Sequence, residues 1–147
     1  MSTTYSPTSR TSATRATRRP TVWRHGLAAS VVASVATTSL AAIASAAGVS
    51  FADSTGASIP LAGFAQLTLM FSLLGVGLAA VMARRARRPR RTFVRTAIAL
   101  TVLSYVPDLV VGFDAASAAT LIGLHTVAAC IVVPTLASRL ARLSAGN

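Results

Sequence analysis

Residues 84–91 read RRARRPRR, six arginines in eight positions with Pro89 among them. A guanidinium stays charged at physiological pH and resists entry into hydrocarbon, so such a run fixes the side of a bilayer on which it lies. Pro89 forbids one continuous helix through the run, because proline lacks an amide hydrogen and clashes with the preceding turn. The run divides the chain into two halves, each with two apolar stretches, and it decides how those stretches are threaded.

Outward from the run on its N-terminal side, residues 59–83 are rich in Leu, Phe, Val and Met. As a helix this stretch covers about 37 Å, enough to cross a bilayer with some tilt. On the C-terminal side the next stretch is 93–113, with Pro107 expected to interrupt its outer half. The outermost pair is 26–47 and 118–138, and Pro134 falls near the end of the latter. Trp23, beside Arg24 and His25, suits a membrane–water interface. Residues 1–21 are Ser, Thr and Arg with almost no large apolar side chain, and they read as a disordered tail. The remaining 22–147 read as one membrane domain.

All fourteen basic residues are arginines. Arg10, Arg15, Arg18, Arg19 and Arg24 precede the first span. Arg84, Arg85, Arg87, Arg88, Arg90, Arg91 and Arg95 lie at the middle loop, and Arg139 and Arg142 follow the last span. The other two loops have none, while Asp53, Asp108 and Asp114 fall at or near their side. The positive-inside rule then gives an all-α, four-span transmembrane helical bundle with both termini cytoplasmic (N-in/C-in) in the plasma membrane. A composition 53% hydrophobic and 12% charged agrees, since soluble domains carry about 25% charged residues. The formal charge of +11 is absorbed by this reading, with anionic headgroups as the partner of Arg84, Arg85, Arg87, Arg88, Arg90 and Arg91. Nucleic acid is not expected, because the run lacks interleaved aromatics.

The first span has few large apolar residues and is the most patterned. Ala29, Ala33, Thr37, Ala41 and Ser45 recur every four residues, as do Ser30, Ser34, Thr38, Ala42 and Ala46. One face is therefore entirely small, which lets neighbouring backbones approach in lipid. Gly75, Ala79 and Ala83 repeat the pattern in the second span. An alternative reads the first span as a cleaved signal, with Ala44-Ser45-Ala46 as the cleavage site. Its apolar stretch is longer than a usual signal core, and the retained helix is the preferred reading.

Chemistry inside the spans is confined to a few polar residues. Gln66, Asp108 and His125 lie at a similar depth, about 7–10 Å in from the outer ends of their spans. A carboxylate in lipid is costly, so Asp108 is expected to pair with His125, with Gln66, Ser104 or Tyr105 nearby. Such a cluster reads either as interhelical glue or as an outward proton-responsive or small-ligand pocket. Cys130 stands alone, excluding an internal disulfide, and reads as a small packing residue. Glu and Lys are absent, which removes Schiff-base lysines and an embedded glutamate. No G-x-S-x-G, H-E-x-x-H, P-loop or G-x-G-x-x-G occurs. An enzyme is not expected, nor is any metal or cofactor.

The segments IPLAGFAQLTLMFSLLGVGLAAVMARRARRPRRTF, LSYVPDL and DAASAATLIGLHTVAACIVVPTLASRLA resemble an uncharacterised family of small actinobacterial membrane proteins. The spacing of Pro107, Asp114, His125 and Pro134 is the more particular part. The resemblance covers roughly the last ninety residues well and the first helix loosely. It implies four helices and carries no activity. Two roles stay open: a structural or accessory protein packing on itself or another membrane subunit through small helix faces, or a small dimeric transporter or sensor.

Overall fold

The computed structural model describes residues 22–145. Among these it forms four α-helices and no strand: α1 (Val22–Ala46), α2 (Leu61–Arg85), α3 (Pro89–Val110) and α4 (Ala115–Ala145). Each is long and apolar enough to cross a membrane, which is the expected four-span all-α architecture. The N-terminal tail, with Arg10, Arg15, Arg18 and Arg19, lies outside the described residues.

The helices do not end where the apolar stretches do. α3 begins at Pro89 rather than near 93, because proline fits a first helical turn, where no amide partner is needed. α4 begins at Ala115 and runs to Ala145, well past the expected 138, so Arg139 and Arg142 are helical. Arg142, in the last turn, complements the negative end of the helix dipole. Pro107 and Pro134 both stand inside their helices without ending them. α3 does stop soon after Pro107, with the Val111 amide bonded to the Pro107 carbonyl.

α1 packs against α2 and α4, and α3 packs mainly against α4 and less against α2; α1 and α3 do not meet. α4 is the hub, and none of its large apolar side chains is exposed. α3 is the opposite case, burying only Phe93 and Asp108. Its Ile98, Leu100, Val102, Leu103, Val106 and Leu109 face outward, as suits a helix bathed in lipid, where an apolar surface costs nothing.

The small face of α1 is used within the chain. Gly26, Ala29, Ser30, Ala33, Thr37 and Ala41 are all buried. A Cβ on Gly26 would lie 2.6 Å from Cγ2 of Val76 and 3.3 Å from Leu136, so only glycine permits this approach. Ser30 and Thr37 donate to carbonyls one turn back, 2.9 Å away in each case. Ser34 crosses to the Ala65 carbonyl at 2.9 Å, and the Thr37 and Thr68 hydroxyls lie 3.0 Å apart. The expected small stripe of α2 is only partly realised. Ala79 is fully buried, whereas a Cβ on Gly75 would meet open space.

Two apolar layers fill the interior. The layer at the arginine end joins Val22, Ala33, Val76, Ala79, Phe93, Val132, Leu136, Ala137 and Leu140. The layer at the other end joins Ala41, Phe51, Phe64, Leu121 and Leu124. Phe51 comes from the α1–α2 loop and closes this end like a stopper. It is 2% exposed, and its ring meets Phe64 edge-on at 4.9 Å between centroids. Its φ of 52° lies in the left-handed region, a strain of roughly 1 kcal/mol for a side-chain-bearing residue that ring burial more than offsets.

Candidate functional site

Asp108 and His125 come together as expected. Nδ1 of His125 lies 3.1 Å from Oδ2 of Asp108 and 2.9 Å from the Leu121 carbonyl. Both neighbours can accept a hydrogen bond, which favours the tautomer with its hydrogen on Nδ1. The N–H is aimed at the carbonyl, so Oδ2 is buried beside the imidazole but has no well-directed hydrogen bond. Exposure is unequal: the Asp108 side chain is 8% exposed and that of His125 40%. The imidazole is thus the accessible face of a pair whose carboxylate is enclosed.

Antiparallel helices explain the meeting. Every Cβ leans toward the N-terminus of its own helix. Asp108, near the C-terminal end of α3, leans inward, and His125, deeper along α4, leans back to meet it. Tyr105, one turn before Asp108 on α3, stands edge-on to the imidazole at 6.4 Å between ring centroids. Its hydroxyl is 2.9 Å from that of Thr126. Ser104 donates to the Thr101 carbonyl instead of the pair. Gln66 is exposed on α2, and no hydrogen bond joins it to Asp108 or His125. The pair is therefore an α3–α4 feature. Cys130 is also exposed rather than packed.

A second polar cluster lies in the loops above this pair, and sequence reasoning missed it. Asp114 caps α4: its Oδ1 accepts from the amides of Ala116 at 2.9 Å and Ser117 at 3.0 Å. Its Oδ2 accepts from the Ser117 hydroxyl at 2.6 Å and from Ser50 of the other loop at 3.3 Å. Ser117, fully buried, in turn accepts from the Phe51 amide at 3.1 Å. The D-x-x-S spacing before an apolar run was the available signal, as a helix-start pattern. Asp53 organises its own turn, accepting from the Thr55 hydroxyl and amide and the Ala57 amide. The Thr55 hydroxyl bond, then its amide, holds the Asp53 carboxyl below its ordinary pKa. The Ser117 hydroxyl does the same for Asp114, followed by the Ser117 amide.

Among the described residues, no three His, Cys, Asp or Glu side chains gather as a metal site would require. At the opposite end of the bundle, arginines line two shallow concavities. One, of about 300 Å³, is bordered by Arg87, Arg88, Pro89, Arg90, Arg91 and Ala141. The other, of about 340 Å³, is bordered by Arg88, Arg91, Thr92, Arg95 and Thr96.

Four apolar helices, a filled interior and charges gathered at the two ends define a multi-pass membrane protein. More particularly, the chain belongs to the family of unknown function DUF6069, which matches residues 17–142. The match takes in α1 whole as well as the C-terminal segments that carry the resemblance. No curated protein and no solved structure matches the chain.

Proposed function

We propose that this protein is a structural or accessory component of the cell membrane and not an enzyme. Both termini and the 84–91 run face the cytoplasm, with the arginines against anionic headgroups. The observation that carries this reading is the contrast between a filled interior and a bare flank. Ala33, Val76, Ala79, Leu136 and Leu140 are wholly enclosed, so nothing is left open for cargo along the axis at that level. The small face of α1 is consumed by α2 and α4, so association with another subunit falls to the outward flanks of α2 and α3. Crosslinking and native mass measurement in mild detergent test this. A stable complex with another membrane protein is expected, and a chain that remains monomeric and unpartnered refutes it. Reporters fused to each terminus test the threading, and either tail found outside the cell overturns it.

A second reading rests on the Asp108 oxygen that lacks a directed hydrogen bond beside a half-exposed imidazole. It makes the protein a small pH-responsive sensor or dimeric transporter with an outward-facing site. A homodimer with pH-dependent solute flux, abolished in His125→Ala, is its expected signature. Flux or phenotype indifferent to that substitution removes it.

A further inference from the structure

The first turn of α3 places cations where a helix favours anions. Aligned peptide dipoles leave partial positive charge at a helix N-terminus, so acidic residues stabilise the first turn and basic ones oppose it. α3 has no acidic residue there, and its N-cap, Arg88, makes no side-chain capping bond. Arg88, Arg91 and Arg95 follow at spacings that put them along one side of the helix, where like charges repel. No aspartate is at hand, because all three belong to the other end of the molecule. Asp108, the aspartate nearest in sequence, faces His125 instead. By contrast, Arg84 and Arg85 end α2 and Arg142 ends α4, where the dipole welcomes them.

Arg88 and Arg91 at the helix start, with Arg95 one turn on, line one concavity of about 340 Å³, with Thr92 and Thr96 between them. Thr92 donates its hydroxyl to the Arg88 carbonyl at 3.1 Å, which ties the rim together. Guanidinium groups bind phosphate through paired, parallel N–H bonds. A single phosphate there would relieve the repulsion among the arginines and complement the dipole at once.

We propose that Arg88, Arg91 and Arg95, with Thr92 and Thr96, form a discrete site for a phosphate group, supplied by an anionic lipid headgroup or by free phosphate. This deepens the headgroup contact proposed above into a defined ligand class at defined residues. It also distinguishes this side of α3 from the general basic charge of the run.

The test uses the full chain in phosphatidylcholine mixed micelles, with binding counted by native mass spectrometry. The probes are phosphatidylglycerol, an anionic lipid bearing only a carboxylate (diacylglycerol hemisuccinate), and inorganic phosphate. Phosphatidylglycerol is expected to bind, and R88Q/R91Q/R95Q to weaken it at least tenfold. R24Q/R139Q/R142Q, which removes the same charge elsewhere at this end, is expected to change it less than threefold. If the glutamine variant does not accumulate, R88K/R91K/R95K keeps the charge but loses the planar fork and is expected to bind at least threefold more weakly. Inorganic phosphate that displaces the lipid identifies free phosphate as the source, and its failure to do so identifies the headgroup. Equal losses in the two glutamine variants, or hemisuccinate binding as tightly as phosphatidylglycerol, overturn the proposal. Because binding in micelles does not depend on threading, its failure is distinct from an inverted terminus in the reporter experiment.

Discussion

The two ends of this bundle solve the same problem in opposite ways. At the aspartate end the chain satisfies itself: Asp114 caps α4 and reaches Ser50, Ser117 takes the Phe51 amide, and Asp53 closes its own turn. At the arginine end, α2 passes to α3 through a short linker, and α3 starts without a side-chain cap. One end is finished by intramolecular hydrogen bonds, and the other leaves its charges to the surroundings. The comparison teaches that charge placement differs in kind here, closing the fold where carboxylates sit and leaving charge open to the surroundings where arginines sit.

The largest break in this contrast is expected in the apolar layer beneath the arginines. Gly26→Ala forces a methyl to within 2.6 Å of Val76, and overpacking of this kind costs about 1–3 kcal/mol. Gly77→Ala, where a Cβ meets open space, is expected to gain up to about 1 kcal/mol through helix propensity. Reversible unfolding in mixed micelles measures both, and equal effects would show that α1 and α2 do not approach as described.

Next comes Gly112→Ala at the self-satisfied end. Gly112 has a φ of 88°, and a Cβ would lie 2.9 Å from that of Ser54. A loss of about 1–2 kcal/mol is expected. It should be read as faster hydrogen exchange in both outer loops, with the arginine-end layer unaffected.

His125→Ala is expected to cost about 1 kcal/mol, the scale of interhelical polar contacts in membranes. It leaves Asp108 enclosed without its imidazole neighbour. Asp108→Asn, which removes the charge and keeps the shape, is expected to cost less. The reverse order in an unfolding titration would argue that the imidazole contributes little to the pair.

The smallest effect is that of acid. The folded pKa values of Asp53 and Asp114 lie below their ordinary ones. Their contribution is therefore complete above the unfolded value, near 3.9. It is lost as pH falls below that toward the folded values. Exchange of the Phe51, Ala116 and Ser117 amides should quicken in that window, and no change would separate the loop order from these carboxylates.

The four helices were legible because four long apolar stretches, parted by polar or arginine-rich segments, leave little choice of element. The small face of α1 was legible too, since a four-residue period survives whatever packs on it. The Asp108–His125 pair followed from the cost of a carboxylate in lipid, which demands a partner and leaves few candidates. Gln66 misled for the same reason in reverse. An amide is cheaper to leave exposed, and counting depth says nothing about which way a side chain points around its helix. The buried residues of α2, Phe64, Ser72, Val76 and Ala79, define a face turned well away from it. Phe51 could not be foreseen. One aromatic in a Ser-, Ala- and Gly-rich loop carries no periodicity, and its left-handed backbone is set by the cavity it fills.

The absence of contact between α1 and α3, with α4 as hub, has a consequence for biogenesis. Until the ribosome has delivered the last helix, α1 and α2 can pair, but α3 is held only by its lesser contact with α2. Its enclosed aspartate has as yet no histidine to face. Any product truncated before α4 should thus present a loosely held span with an unmatched acid, a recognisable mark for a quality-control protease.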